Sequence, residues 1–520
     1  MNKFIIPIII TLIIAAGIGT FFILQTPAFP EQPSSTDSPF GIMAAFEPAT
    51  LTTINSADKV AWAGEKFRDL GAKWSRSVGE RIIWGLIEPE FGKGYDWSNS
   101  DEALKKAYEN GGENFNMVVV ISPPRFKGDN PDILLDEENY YSKFVEELVE
   151  RYDGDGINDY DSIIKVKYWQ MENEPFPKQW ENREGTIDGY VKFAELTHNA
   201  IKKSDPNAKI ILGTFQLKTT EHVNKLKELI SKMKNKKLFD YVDTHFWDLG
   251  NNYKIPITEA KNIFNSNGYS NVKYMSLEFG SWLARSTRGS AIKQPGGRNR
   301  IRDVVSGGTA ASLNQSFSRR HGRRSRQPSR KSSQENRKVT ENGAEKDQAA
   351  FLIKGYVYNL ANGFFMINWN NLVEWNNFGG SSENIYNYMG LIADGQNGDG
   401  LEAGTPRLSY YTYKKMVEVL DGSDWNNIQT IQGKDGIYIY KFIKQGKPIY
   451  VAWNDTGQEK QVTISGITLS QVQITEAVPK YESGKEVSDY SAAFITETKT
   501  VEASKITLTL KDKPVFVEEK

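Results

Sequence analysis

The chain has 520 residues, more than one ordinary domain holds, so two or three units are expected. A formal net charge of -1, with acidic and basic residues in balance, gives no support to a nucleic-acid partner. The absence of cysteine excludes disulfides, a thiol nucleophile and cysteine-ligated zinc, while 12 Trp and 24 Tyr suit stacking on flat ligands as well as a large core.

The first element is the uncharged apolar run Phe4–Leu24, preceded by Lys3. It is long enough for a bilayer, since about 20 apolar residues span one, and no clean small-x-small cleavage site follows. Residues 1–25 are therefore read as a membrane anchor, or as a cleaved signal. In either case the rest of the chain is expected outside the cell, at the membrane face or secreted. The Pro/Ser-rich stretch 26–38 (TPAFPEQPSSTDS) has the composition of a tether.

From Phe40 the chain alternates short apolar runs with amphipathic stretches. Strands are predicted at Phe40–Phe46, Ala72–Val78, Phe115–Ser122, Val166–Met171, Lys209–Thr214, Tyr241–Phe246, Val272–Leu277 and Gly363–Trp369. Helical patterns lie between them at Ala57–Leu70, Glu138–Tyr152, Ile187–Lys203, Glu221–Lys234 and Glu345–Leu360. Runs such as MVVVI and KIILG are continuous and β-branched, as strands buried on both faces should be. Eight strands alternating with helices predict an α/β fold, a (β/α)8 TIM barrel over 39–420. A doubly wound sheet would favour a Gly-rich first turn, which FGIMAAFEPAT lacks.

Two stretches break the pattern. Residues 284–344 lose hydrophobic periodicity and hold most of the chain's arginines, from Arg285 to Arg337, whereas lysine is preferred elsewhere. That composition predicts an unstructured insertion in a tolerant loop, the alternative being a basic arm for acidic polymers. After Leu420, segments such as GIYIYKFI, KPIYVAWND and KITLTLKDKPVFVEE alternate with turn residues. They predict a C-terminal antiparallel β-sandwich-like domain over 421–520, either packed on the barrel or binding glycan.

Chemistry is expected at the C-terminal ends of the barrel strands. VKYWQMENEP places Asn173 and Glu174 just past strand four, and KYMSLEFGSW places Glu278 at strand seven. Two carboxylates flanking one bond are what glycoside cleavage requires, one to protonate the leaving oxygen and one to attack the sugar or activate water. Two acidic turns are candidate calcium sites. Asp153, Asp155 and Asp159 space oxygen ligands like half of a calcium loop, and DGQNGDG from Asp394 to Gly400 is similar. Asp/Gly-rich surface turns are also common without metal. No His/Asp/Glu set suggests a catalytic metal, and no cofactor is expected.

Taken together, GAKWSRSVGERIIWGLIEPEFGKGYDW, WQMENEP, LEFGSW, FMINWNN and the closing GTPRLSYYTYKKM resemble clan A glycoside hydrolases over roughly 40–420, outside the insertion. The resemblance implies a retaining hydrolase of β-linked glycans with Glu174 as acid/base and Glu278 as nucleophile. It further implies Asn173 on the sugar 2-hydroxyl, Arg76 beside Glu278 and keeping it ionised by lowering its pKa, His245 lining the subsite and Trp369 as a floor beneath the sugar. Many clan members place a tyrosine near strand six to bond the nucleophile. This chain has THFWD there, and Tyr274 lies too early in strand seven for that position. The rival reading from another class is a non-catalytic carbohydrate-binding cell-surface protein on the same barrel, which a hydrolysis screen would separate.

Overall fold

A computed structural model describes residues 38–76, 82–90, 92–122, 140–175, 187–215, 217, 219–283, 344–375, 385–396 and 399–520. The expectations for residues 1–25, for nearly all of the 26–38 tether and for the insertion up to 343 lie outside the described residues. Among the described residues, no helix is long and apolar enough to cross a membrane.

Eight parallel strands close a barrel in sequence order: β1 Phe40–Met43, β2 Trp74–Arg76, β3 Asn116–Ile121, β4 Tyr168–Met171, β5 Lys209–Leu212, β6 Tyr241–Trp247, β7 Lys273–Gly280 and β8 Phe364–Trp369. Closure is made by β8 against β1, with Gly41 opposite Asn368. A Cβ at Gly41 would lie 1.8 Å from Asn368 Oδ1 and 2.7 Å from Trp74 Cβ, so only glycine allows this approach. Around the barrel run α1 Lys59–Asp69, α2 Trp84–Ile87, α3 Ser98–Gly111, α4 Tyr140–Tyr152, α5 Ile187–Ser204, α6 Thr220–Lys232, α7 Thr258–Ser266, α8 Ala344–Ala361 and α9 Leu408–Leu420. Asp58 caps α1, accepting from Val60 N at 3.1 Å and Ala61 N at 2.9 Å, and Thr219 caps α6. All eight predicted strands are present. The helices α3 and α7 went unnamed in the sequence, where SNSDEALKKAYENG and TEAKNIFNS offer few large apolar residues.

Alternate side chains of each strand serve two cores. Trp74, Val118, Ile211, Tyr241, Met275, Leu277 and Met366 fill the barrel interior, with Trp74 edge-on to Tyr168 at 4.6 Å. The outward side chains join the helices in one large apolar cluster. Filling the lumen from below leaves polar side chains to gather only at the C-terminal ends of the strands, where the site forms.

Beyond α9 the chain forms eight antiparallel strands. A six-stranded sheet pairs β14 Thr496–Thr500, β13 Gln471–Glu476, β16 Val515–Glu519, β11 Lys447–Asn454, β10 Ile437–Lys444 and β9 Gln429–Lys434, in that order. A second sheet pairs β12 Lys460–Ser465 with β15 Lys505–Leu510. Period-2 alternation divides the work of β10 and β11. Tyr438, Tyr440, Phe442, Ile449, Val451 and Trp453 join the barrel's apolar cluster, whereas Ile437, Ile439, Tyr450 and Ala452 pack with Ile464, Ile506 and Leu508 of the small sheet. The arrangement is sandwich-like, with one face of the large sheet docked on the barrel. The edge strands β9 and β14 are mostly exposed and polar, which is why no apolar pattern announced them.

Candidate active site

Arg76, the last residue of β2, is 1% exposed, so each part of its guanidinium needs a partner. Nη1 donates to Glu278 Oε1 at 2.9 Å, Nε to Gln170 Oε1 at 2.7 Å and Nη2 to Asn173 Oδ1 at 2.7 Å. One cation thereby fixes residues from β4, β7 and the turn after β4. Glu278 reaches it because β7 shifts register against β8 between Ser276 and Phe279. Leu277 stays in the lumen and Phe279 points to the helices, leaving Glu278 aimed at the mouth.

Glu174 follows β4 by three residues in a strained turn. Both Glu172 (φ 66) and Glu174 (φ 47) occupy left-handed backbone, uncommon for non-glycine residues and concentrated at functional sites. Asn173 N donates to Glu172 Oε1 at 2.9 Å, which supports the turn.

His245 joins the two glutamates. It lies opposite Glu278 in the β6–β7 pairing, after a register irregularity at Asp243. Its Nδ1 is 2.8 Å from Glu174 Oε1 and 3.6 Å from Glu278 Oε2. With those two legs laid end to end, the two carboxylate oxygens are no more than about 6.4 Å apart. On the other side of the ring, Nε2 is 3.1 Å from Asp243 Oδ2 and 2.9 Å from Thr214 Oγ1. Asp243 is fully buried and also accepts from Gln170 Nε2 at 2.9 Å, from Leu277 N at 2.8 Å and from the Thr214 hydroxyl.

These contacts set the charges. Burial alone would neutralise His245, but Glu278, Asp243 and Glu174 reverse that and push it up to about 10, so it is a cation at neutral pH. Burial likewise works to raise Asp243; the charge and hydrogen bond of His245 together with Arg76 outweigh it and hold this carboxyl below its usual value. For Glu278 the balance differs from expectation. Burial raises it above the ordinary glutamate value, while His245 and Arg76 pull the other way and limit the rise. Arg76 beside Glu278 was expected to depress it; enclosure of the carboxylate outweighs that pull.

The structure brings together Arg76, Asn173, Glu174, His245 and Glu278. Trp369 is a correction. It is fully buried, lies edge-on to Phe279 at 6.1 Å and to Phe351 of α8 at 6.5 Å, and donates from Nε1 to Met389 O at 2.8 Å. In the alternation of β8, Asn368 faces inward and Trp369 faces the helix layer, so it is no floor beneath a ligand. Aromatic side chains at the mouth come instead from Trp247, edge-on to His245 at 5.4 Å, and Tyr386, edge-on to Trp247 at 5.5 Å. Trp282, two residues past β7, belongs to the same apolar group. Burial, with the charges of Glu174 and Glu278, pushes the phenol of Tyr386, which lies on the β8–α9 connection, well above its usual range. Sequence reasoning also missed Gln170, Thr214 and Asp243, which lie within strands four and six or just after strand five.

The acidic turn at Asp394–Gly400 has an ionic explanation in part: Asp399 is bound to Arg407 at 2.5 Å. Arg407 also holds Glu374 through Nε at 2.7 Å and Nη2 at 2.8 Å, and Glu345 at 3.2 Å. Among the described residues, a set of three acidic side chains spaced for a metal occurs at Asp153, Asp155 and Asp159, on the opposite face from the glutamates.

No family profile matches the sequence, and no curated protein matches it. Similar solved structures include a family 39 glycoside hydrolase from the gut symbiont Bacteroides cellulosilyticus WH2, at 13% identity and a TM-score of 0.56, covering 94% of this chain and 81% of that one. A variant of BuGH86 in complex with neoagarooctaose aligns at 10% identity and 0.54, covering 92% and 74%. A glucosidase from Croceicoccus marinus aligns at 12% identity and 0.50, covering 94% and 97%. At such identities the likeness shows a shared barrel fold.

Proposed function

We propose that this chain is a retaining glycoside hydrolase that cleaves β-glycosidic bonds in oligo- or polysaccharides by double displacement. The observation that carries the reading is the carboxylate pair itself. Glu174 and Glu278 both approach one His245 nitrogen, at 2.8 Å and 3.6 Å, so the two carboxylates face a single site, as a pair acting on one glycosidic bond must. That the similar structures include glycoside hydrolases raises the prior, by analogy of fold.

The roles follow from partners and charge. Arg76 and His245 supply two positive charges against Glu278, Asp243 and Glu174. The set is neutral when one carboxyl carries a proton. Asp243 is enclosed by donors and Glu278 is bound to Arg76, while Glu174, the most exposed of the three at 23%, is the one a leaving oxygen can reach. Glu174 is therefore the proton donor. In the first step the Glu278 carboxylate attacks the anomeric carbon, the bond to the leaving oxygen breaks, and Glu174 gives its proton to that oxygen. Glu278 is then a neutral ester, so the two cations face one anion fewer and favour ionised Glu174. In the second step Glu174 takes a proton from water, the water oxygen bonds to the anomeric carbon, and the ester releases Glu278 as carboxylate. Trp247, Trp282 and Tyr386 supply apolar faces for the sugar.

The test is a hydrolysis screen on chromogenic β-glycosides and polysaccharides, followed by two variants. Glu278→Gly should lose turnover and regain it with azide, giving a glycosyl azide of inverted configuration. Glu174→Ala should keep glycosylation by substrates with good leaving groups and slow deglycosylation. Swapped outcomes would reverse the roles; binding of glycans with no hydrolysis of any substrate would establish the non-catalytic reading.

A further inference from the structure

On the face opposite the glutamates, the connection from α4 to β4 reads DGDGINDYD over 153–161. Asp153, Asp155 and Asp159 each bring a carboxylate oxygen to within 4.8 Å of the other two. Three like charges held so close repel one another. A second feature makes the arrangement costlier: Asp153 is fully buried, and its Oδ2 has no hydrogen-bond partner. The donors of the turn are already used elsewhere. Asp155 N donates to Asp153 Oδ1 at 3.2 Å, Gly154 N and Gly156 N donate to the two oxygens of Asp159 at 2.8 and 2.7 Å, and Ile157 N donates to Asp155 Oδ1 at 2.8 Å. Lys167, further along the connection, is paired with Asp205 at 2.9 Å. A Cβ at Gly154 would lie 2.6 Å from Ile164 O, so the turn closes on the chain leading into β4.

We propose that this turn binds a calcium ion through Asp153, Asp155 and Asp159. A cation would supply the missing partner for Asp153 Oδ2 and cancel the mutual repulsion. The ligands are all oxygen, which selects a hard cation, and no His or Cys belongs to the set. An irregular turn suits the variable geometry of calcium, with main-chain carbonyls and water completing six to eight ligands, better than the strict octahedron of magnesium. At the N-terminal end of the strands the ion is structural: it fixes the approach to β4 and takes no part in chemistry at the glutamates.

The full chain, stripped with EDTA, is titrated with terbium(III), whose luminescence Tyr160, adjacent to Asp159 and 41% exposed, would sensitise, and calcium is then used as competitor. Thermal melts are recorded in EDTA, calcium and magnesium. The expected result is saturable calcium binding with Kd of order 10⁻⁴–10⁻³ M, the range of extracellular calcium modules, and a Tm higher by a few degrees at a hundredfold excess over Kd. Asp155→Asn and Asp159→Asn avoid disturbing the buried Asp153. Each should weaken binding at least tenfold and remove the calcium-dependent shift. In EDTA each should melt at or above the parent, because a like charge has gone. No binding by the parent, binding undiminished in both variants, or an equal Tm shift from magnesium would each overturn the proposal.

Discussion

A buried histidine usually sheds its proton, so the charge on His245 is the sharpest electrostatic statement the site makes. Its imidazole is pushed up to about 10 in the folded chain, against about 6.5 when unfolded. Between those values the folded state holds one proton that the unfolded state has released. The contribution is complete below about pH 6.5 and is lost as pH rises through about 10. In that window one proton corresponds to about 1.4 kcal/mol per pH unit, hence about 2–3 kcal/mol between pH 7 and 9. The chain has four histidines, so ¹⁵N-histidine labelling gives a spectrum simple enough to follow by pH. One imidazole should keep the doubly protonated signature past pH 8.5, and His245→Asn should delete that signal. Denaturant unfolding should show the parent losing stability more steeply than the variant from pH 7 to 9. A His245 resonance that titrates near 6.5, with parallel stability curves, would refute the Asp243–His245–Glu174 account.

Asp243→Asn should let burial win at His245, lowering its pKa by more than one unit in the same NMR titration and reducing kcat/KM by about 10²-fold, the scale of a mis-set acid–base group. Tyr386→Phe should lower kcat/KM by about tenfold, the scale of one polar contact, while leaving Tm within a degree or two; unchanged kinetics would remove Tyr386 from the site. Trp369→Ala should cost about 3–5 kcal/mol in denaturant melts, since the ring is wholly enclosed, and should leave KM of the folded fraction near that of the parent. Arg407→Met should cost about 3–5 kcal/mol at pH 7 by stranding Glu374, Asp399 and Glu345, with the loss shrinking at lower pH as these carboxyls take protons.

What was legible in the sequence follows from period and burial. Strands covered on both faces must be continuous apolar runs, so MVVVI and KIILG declared themselves, and a charged residue closing such a run, as Arg76 and Glu278 do, stands out against it. Asp243 did not stand out, because one carboxylate inside YVDTHFW looks the same whether it faces helix, solvent or lumen; its meaning depends on Gln170 and Thr214 arriving from neighbouring strands. Trp369 was placed wrongly although the signal was present: with Met366 in the lumen, period two puts Asn368 inside and Trp369 outside. Tyr386 was illegible for another reason. It comes from a connection without periodicity, and only the folded barrel brings it against Trp247 at the end of β6. Glu278 gave half its story. Its position followed from the strand end, whereas the net rise in its pKa depends on how deeply the mouth encloses it.

The C-terminal sheets were left with two readings, a glycan-binding module or a structural brace, and the packing favours the brace. Tyr438, Tyr440, Phe442, Ile449, Val451, Trp453 and Phe516 belong to the same apolar cluster as the barrel's outer layer. At roughly 1.5–3 kcal/mol for each such side chain, the contact is worth about 10–20 kcal/mol before entropy is counted, comparable to the whole stability of an ordinary domain. The contact also holds polar partners in place. Trp453 Nε1 donates to Tyr253 Oη at 2.9 Å, Tyr253 Oη donates to Asp455 Oδ2 at 2.6 Å, and Lys354 of α8 is 2.9 Å from Asp455 Oδ1 with both side chains under 10% exposed. Tyr253 lies on the segment that follows β6, the strand of His245, so the sheet braces a neighbour of the face that carries the candidate site. A chain ending at Leu420 would expose this apolar surface and strand Lys354. It should be insoluble or lack a cooperative melt, and it should be inactive even on small substrates. Asp455→Asn in the full chain should cost about 3–5 kcal/mol by leaving Lys354 buried without its anion. A soluble 38–420 fragment that melts cooperatively at the parent's Tm and keeps its turnover would show that the sheets are an independent appendage and favour the glycan-binding reading.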